Sequence, residues 1–220
     1  MSDGFHDDHM YASSEPDPDA RYHGPLRTHG TDDASVQVDW YRLADWLPRL
    51  GTVLWLYRAG EGDGVFPRAR LLPCGVLLLD HPALAAFSGS VRVEAHSAVT
   101  AHGPREWLEF LDTQFACVAR LYLLPDADYL AWDAMLNDCG IARAAAQAPT
   151  RWRAHAAFMR CALRRLRSSW QARAVRFPLL RLPCLHVLGL RAPLVLSELG
   201  GQLAAAIADD ERAALQATHA

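Results

Sequence analysis

The chain has 220 residues, 51% of them hydrophobic, with a formal net charge of −3 and no lysine. That length allows one ordinary domain or two small ones with a sizeable core, and the mild charge argues neither for nor against nucleic acid as a whole-molecule partner. The five cysteines (Cys74, Cys117, Cys139, Cys161 and Cys184) form no C-x-x-C and no zinc-type spacing, so they read as reduced, mostly buried thiols of a cytoplasmic protein.

Residues 1–35 are expected to be a disordered acidic tail. Residues 1–39 carry nine acids against Arg21 and Arg27 and show no apolar period. The start, Met-Ser-Asp-Gly, is the reverse of a signal peptide. His6-Asp7-Asp8-His9 has metal-ligand residue types, but a solvated tail would not fix them in place. From Asp39 the pattern changes. Trp40, Leu43, Trp46, Leu47 and Leu50 recur at helical spacing with Asp39 as N-cap, and Gly51 ends the helix. Thr52–Arg58, Val65–Arg70 and Gly75–Asp80 read as strands, with a loop at Gly60–Gly64. Val91–Val99 alternates less cleanly. These elements predict an α+β fold with an antiparallel sheet meander and flanking helices.

Trp107–Leu111 and Cys117–Leu123 predict a β-hairpin turning at Asp112-Thr113-Gln114, with Pro125 stopping the second strand. Asp126 and Asp128 are both placed to cap a helix in which Tyr129, Trp132 and Leu136 form an apolar stripe, and Gly140 ends it. A second helix is expected over Arg151–Val175, with Trp152, His155, Met159, Ala162, Leu166 and Trp170 on its apolar stripe. Residues 151–176 carry eight arginines and no acid. Phe177–Leu196, with three prolines, predicts one or two short strands. Gly200-Gly201 precedes an expected last helix, Gln202–Leu215. The apolar stretches Leu71–Phe87 and Phe177–Leu196 are broken by charge and proline, so no membrane insertion is expected.

The sequence lacks G-x-S-x-G, H-E-x-x-H and a phosphate-cradling glycine loop. Asp80-His81 is either an acid–base pair or a turn after a strand. His155 is the most informative histidine. An imidazole on an apolar stripe can ligate heme iron while nearby arginines pair with the propionates; a core histidine with a satisfied hydrogen bond is the other reading. The arginine-rich helix likewise allows a solvated face or a nucleic-acid contact. The acidic tail, the absence of lysine and the lack of a helix-turn-helix pattern argue for no nucleic acid.

Four segments resemble the bacterial hemin-degrading and hemin-transport (HemS/HmuS-like) family. They are Leu50–Arg58 with the following Gly64-Val65-Phe66, Val91-Arg92-Val93, the hairpin Leu108–Asp112 with Val118–Leu123, and the helix Asp128–Leu136. The order and spacing fit over about residues 46–138, one repeat of a family built from two. Trp152, His155, Phe158 and Gln171-Ala172 resemble the family's ligand helix more faintly. The resemblance implies one half of a duplicated HemS-like fold, with a repeat over 39–140 and a basic helix plus short C-terminal extension over 151–220. It also implies heme as ligand or substrate, held for trafficking or for oxidative degradation linked to iron acquisition. It makes His155 the axial iron ligand, with Arg92 on the distal side and Phe158 and Arg151 as further cofactor contacts. Implied partners are heme, a heme-uptake transporter and an electron donor. The sequence departs from the family at Phe115, where the hairpin turn has glycine, at Ala154, where the residue before the ligand is Asp, and after Val175, where the second repeat is not recognisable. The alternative is a non-enzymatic interaction or regulatory module on the same scaffold, docking a protein through Phe177–Leu196.

Overall fold

A computed structural model describes residues 38–58, 68–73, 75–144 and 170–216. The expected tail, the glycine loop and most of the basic helix, with Arg151, His155 and Phe158, lie outside the described residues.

The first helix, α1 (Trp40–Trp46), starts where Asp39 accepts hydrogen bonds from the Tyr41 and Arg42 N–H groups at 3.0 and 3.1 Å. That cap satisfies two donors that have no partner inside the helix. A 3-10 turn at Leu47–Leu50, with Pro48 near its start, carries the chain to Gly51 at φ 77. There the backbone swings into β1 (Gly51–Arg58). β1 does not alternate because both of its faces are covered. Val53 and Trp55 enter the main core, while Leu54 and Leu56 enter a second cluster.

After β1 come β2 (Arg68–Leu72), β3 (Gly75–Leu79), a short α2 (Ala85–Gly89), β4 (Arg92–Thr100), β5 (Gly103–Leu111), β6 (Cys117–Ala127) and α3 (Tyr129–Asp138). The chain resumes with β7 (Trp170–Val175), β8 (Leu179–Leu182), β9 (Leu185–Leu188), α4 (Glu198–Asp210) and β10 (Ala214–Leu215). The fold is α+β. Six strands form one sheet in the order β10-β7-β1-β6-β5-β4, antiparallel except at β10/β7. Four form a second sheet, β2-β3-β9-β8, in which β3 and β9 run parallel. The expected meander is present as β4-β5-β6, but strands after residue 170 complete both sheets.

The main core includes Trp55, whose indole N–H donates to the Ala83 carbonyl at 2.8 Å and whose ring meets Phe110 and Phe177 edge-on. Arg70 of β2 lies over Trp40 and donates to the Phe87 and Ser90 carbonyls, satisfying acceptors at the end of α2. Beneath α4, Ala204, Ile207 and Ala208 cover Leu54, Leu56, Ala172 and Ala174.

Four sequence expectations are corrected. Trp170–Val175 is strand, not the end of a helix: Trp170, Ala172 and Ala174 alternate with Gln171, Arg173 and Val175 against the partners of β1. Gln171-Ala172, matched to the family's ligand helix, therefore sits inside a sheet. β6 runs through Pro125 to Ala127, so the proline does not stop it. The last helix starts at Glu198 and contains Gly200 and Gly201, while Ala214-Leu215 is a strand. Finally, the hairpin turn keeps the left-handed backbone that glycine would supply, since Phe115 sits there at φ 55.

Candidate functional site

The alternation of β4, β5 and β6 gives the large sheet two unlike faces. Val93, Ala95, Leu108, Phe110, Ala119 and Leu121 enter the core. The intervening residues share the opposite face in two cross-strand rows. In one row Glu94 faces Glu109, which faces Arg120; in the next His96 faces Trp107, which faces Tyr122. The aromatic row is stacked, with ring centroids 5.3 Å apart for His96–Trp107 and 5.5 Å for Trp107–Tyr122.

The charged row is an alternating network. Arg92 holds Glu94 at 2.8 Å through Nε, and Arg120 holds Glu109 at 2.9 Å and also pairs with Glu211 at the end of α4. The Tyr122 hydroxyl donates to Glu211 at 2.6 Å. Glu94 and Glu109 are like charges directly opposite, an arrangement that repels, and each has an arginine beside it. His96 Nε2 is buried between them, 3.6 Å from Glu94 and 3.8 Å from Glu109, without a hydrogen bond. Burial alone would lower the Arg120 pKa; the surrounding Cys117, Glu109, Glu211 and Tyr122 reverse that and raise it. Burial raises the Tyr122 hydroxyl pKa, with Glu211 adding to it, and pushes the Cys117 thiol up to about 12. Cys117 is therefore a neutral thiol near pH 7 and no nucleophile.

Arg92 lies on this same face, its side chain 40% exposed and its guanidinium 6.0 Å from the Phe115 ring. The expected partners Arg151, His155 and Phe158 are outside the described residues. The described chain leaves at Ala144, whose N–H donates to Ala95 of β4, and re-enters at Trp170, opposite Arg58 of β1.

Of the other described histidines, His81 and His186 are built into the fold. His81 Nδ1 accepts the Ala83 N–H at 3.0 Å, and burial lowers its pKa, with Arg173 adding to the effect. His186 is buried edge-on to Tyr41. His102 is exposed in the β4–β5 turn. The expected Asp80-His81 alternative resolves toward the turn, since His81 opens a 3-10 helix. No group of three or more His, Cys, Asp or Glu side chains placed to hold a metal occurs among the described residues. No described helix is long and apolar enough to cross a membrane.

Of the residues on this face, the sequence resemblance named Arg92 but not Glu94, Trp107, Glu109, Arg120, Tyr122 or Glu211. The signal was available on three strands, as polar or aromatic residues two apart: Glu94/His96, Trp107/Glu109 and Arg120/Tyr122. Glu211, from the end of a distant helix, had no such signal.

No protein-family model and no curated protein matches the chain. Among solved structures it is similar to holo-PhuS, a heme-binding protein from Pseudomonas aeruginosa, at 20% identity and TM-score 0.33, covering 52% of this chain and 38% of that one. It is also similar to the heme degrading enzyme ChuS of Escherichia coli O157:H7, at 17% identity and TM-score 0.29, covering 46% and 32%. The matched part thus spans about a third of each of those proteins. The fold described above rests on this chain's own strand pairing.

Proposed function

We propose that the chain binds heme as a reduced, one-repeat relative of the HemS-like proteins, with His155 as axial ligand and Arg92 pairing with a propionate. Phe158 packs on the porphyrin and Arg151 supplies a second cation. Heme requires an apolar slot, one axial ligand and cations for its two carboxylates.

The observation that carries this reading is the place of Arg92. It stands half-exposed at the edge of an aromatic sheet face, its Nε held by Glu94 and its Nη atoms left for an anion. The hairpin and the helix that carry the resemblance also support it, since they fold as strand, turn, strand and capped helix in the expected order. Among the described histidines, His96 Nε2 is closed in by two carboxylates, His186 is buried, His81 caps a helix and His102 is exposed in a turn; the ligand role proposed for His155 rests on the resemblance. If heme is turned over, the oxidative chemistry is that of the porphyrin iron, with electrons from an outside donor; this chain's residues bind and orient. Trafficking, delivery by a transporter and a cytoplasmic location extend the same proposal.

Titration of the full chain with hemin tests it. A Soret band that saturates at one equivalent is expected, and an absorbance that rises without saturation overturns the reading. The second reading, a protein-docking module, is favoured by one feature. Leu180, Leu182, Leu194 and Val195, all within the Pro-rich segment 177–196, are exposed.

A further inference from the structure

We propose that the cleft between the Arg176–Arg191 bridge and the Pro48 turn is a binding site for a small amphipathic carboxylate, independent of the heme reading. Beyond β7 the chain pairs once more. The Arg176 N–H donates to the Arg191 carbonyl at 2.8 Å, and the Arg191 N–H donates back at 3.0 Å. Residues that exchange both bonds in an antiparallel pair project their side chains to the same side. Two exposed arginines are thereby paired on one side of the bridge, and both line the cleft.

Like charges directly opposite one another destabilise a sheet, and neither arginine makes an ion pair with a described carboxylate. Their neighbour Arg181 differs, being matched by Asp45 at 3.0 Å. The pair opens onto a cavity of about 330 Å³ with no acidic residue among its described lining residues. Its walls are Pro48, Phe177, Pro178, Ala192 and Leu194. The fold thus provides two unmatched cations over a mostly apolar floor, at the small end of the size range of ligand pockets.

Charge complementarity calls for an anion, and the floor calls for an apolar body. A guanidinium fork matches the planar, two-oxygen geometry of a carboxylate. The occupant is therefore a short-chain carboxylate whose head lies between Arg176 and Arg191 and whose tail runs over Phe177 and Pro178. Leu194, 93% exposed at the rim, is available to close over that tail.

Calorimetry on the full chain with octanoate, octanol and inorganic phosphate tests this site. Octanoate is expected to bind at one equivalent. Octanol and phosphate should each bind at least about tenfold more weakly, because each lacks half of the recognition. Arg176→Gln and Arg191→Gln should each weaken octanoate by about tenfold, while Arg181→Gln leaves it unchanged. Leu194→Glu, at a position too exposed to matter for folding, should abolish binding by placing a carboxylate at the rim. Failure of octanoate to bind, equal binding of octanol or phosphate, or indifference to Leu194→Glu overturns the proposal. Saturation with hemin should not change octanoate affinity; competition at one equivalent would make the cleft a porphyrin carboxylate site and also overturn it.

Discussion

Arg120 is the residue on which the outer sheet face turns. It satisfies Glu109 and Glu211 together, and those carboxylates come from a strand and from the end of a helix more than a hundred residues later. Arg120→Ala leaves two half-buried carboxylates without their cation. A loss of about 2–3 kcal/mol is expected in urea unfolding, below the 3–5 kcal/mol of fully buried pairs because solvent still reaches the site. Arg120→Met, which keeps the packing and removes the charge, should lose a similar amount. The buried thiol of Cys139 gives a pH signature. Burial, then Asp138, pushes its pKa from 9.0 up to about 12. The folded state keeps the proton where the unfolded chain releases it, so this contribution is fully present below pH 9 and is lost as pH rises toward 12. Urea midpoints measured between pH 8 and 11.5 should fall more steeply for the native chain than for Cys139→Ala. At this scale some details were legible in the sequence. Asp39 and Asp128 cap as their spacing predicts, each accepting two backbone N–H groups. Asp126 looked equivalent to Asp128 but accepts from the Ser197 N–H and hydroxyl instead. A contact spanning 71 residues cannot be read from a local pattern.

Among the elements, α3 was the most legible. Its stripe places Trp132, Met135 and Leu136 in the main core, but Tyr129, expected on that stripe, is exposed beside Leu130 in the first turn. Leu136→Ala should cost about 2–5 kcal/mol in chemical unfolding, as expected for a buried leucine. A change within about 0.5 kcal/mol would place it at the surface. β7 was the least legible. The apolar spacing that runs 152, 155, 159, 162, 166 extends to Trp170 and invites a helix, yet the six residues Trp170–Val175 form a strand of period two. Pairing with β1, buried from Thr52 to Leu56, decides the outcome, and local propensity cannot anticipate that. The start of α4 was misread for a different reason. Gly200-Gly201 resembles a break, but Gly200 is needed inside the helix because a Cβ there would lie 2.0 Å from the Asp126 carboxylate. That carboxylate sits at the helix N-terminus, where negative charge is stabilised.

Over the whole molecule, residues 170–216 are built into the fold. β7 and β10 extend the large sheet, β8 and β9 extend the small one, and α4 roofs the second core cluster. The sequence showed the repeat-like half because its hairpin and helix are local units. It left the rest unread because pairings such as β3 with β9, more than a hundred residues apart, carry no local signature. On the large sheet the stacked His96–Trp107–Tyr122 row runs in under α4, where Tyr122 is buried, and Arg92 lies on the same face of β4 four residues before His96, beyond the Glu94–Glu109–Arg120 row. The most direct measurement is the Soret spectrum of matched hemin complexes of the native chain, His155→Ala and His96→Ala. Loss or a blue shift of the band in His155→Ala alone, with far-ultraviolet circular dichroism unchanged, is the expected result. An unchanged spectrum and affinity in His155→Ala would contradict the account.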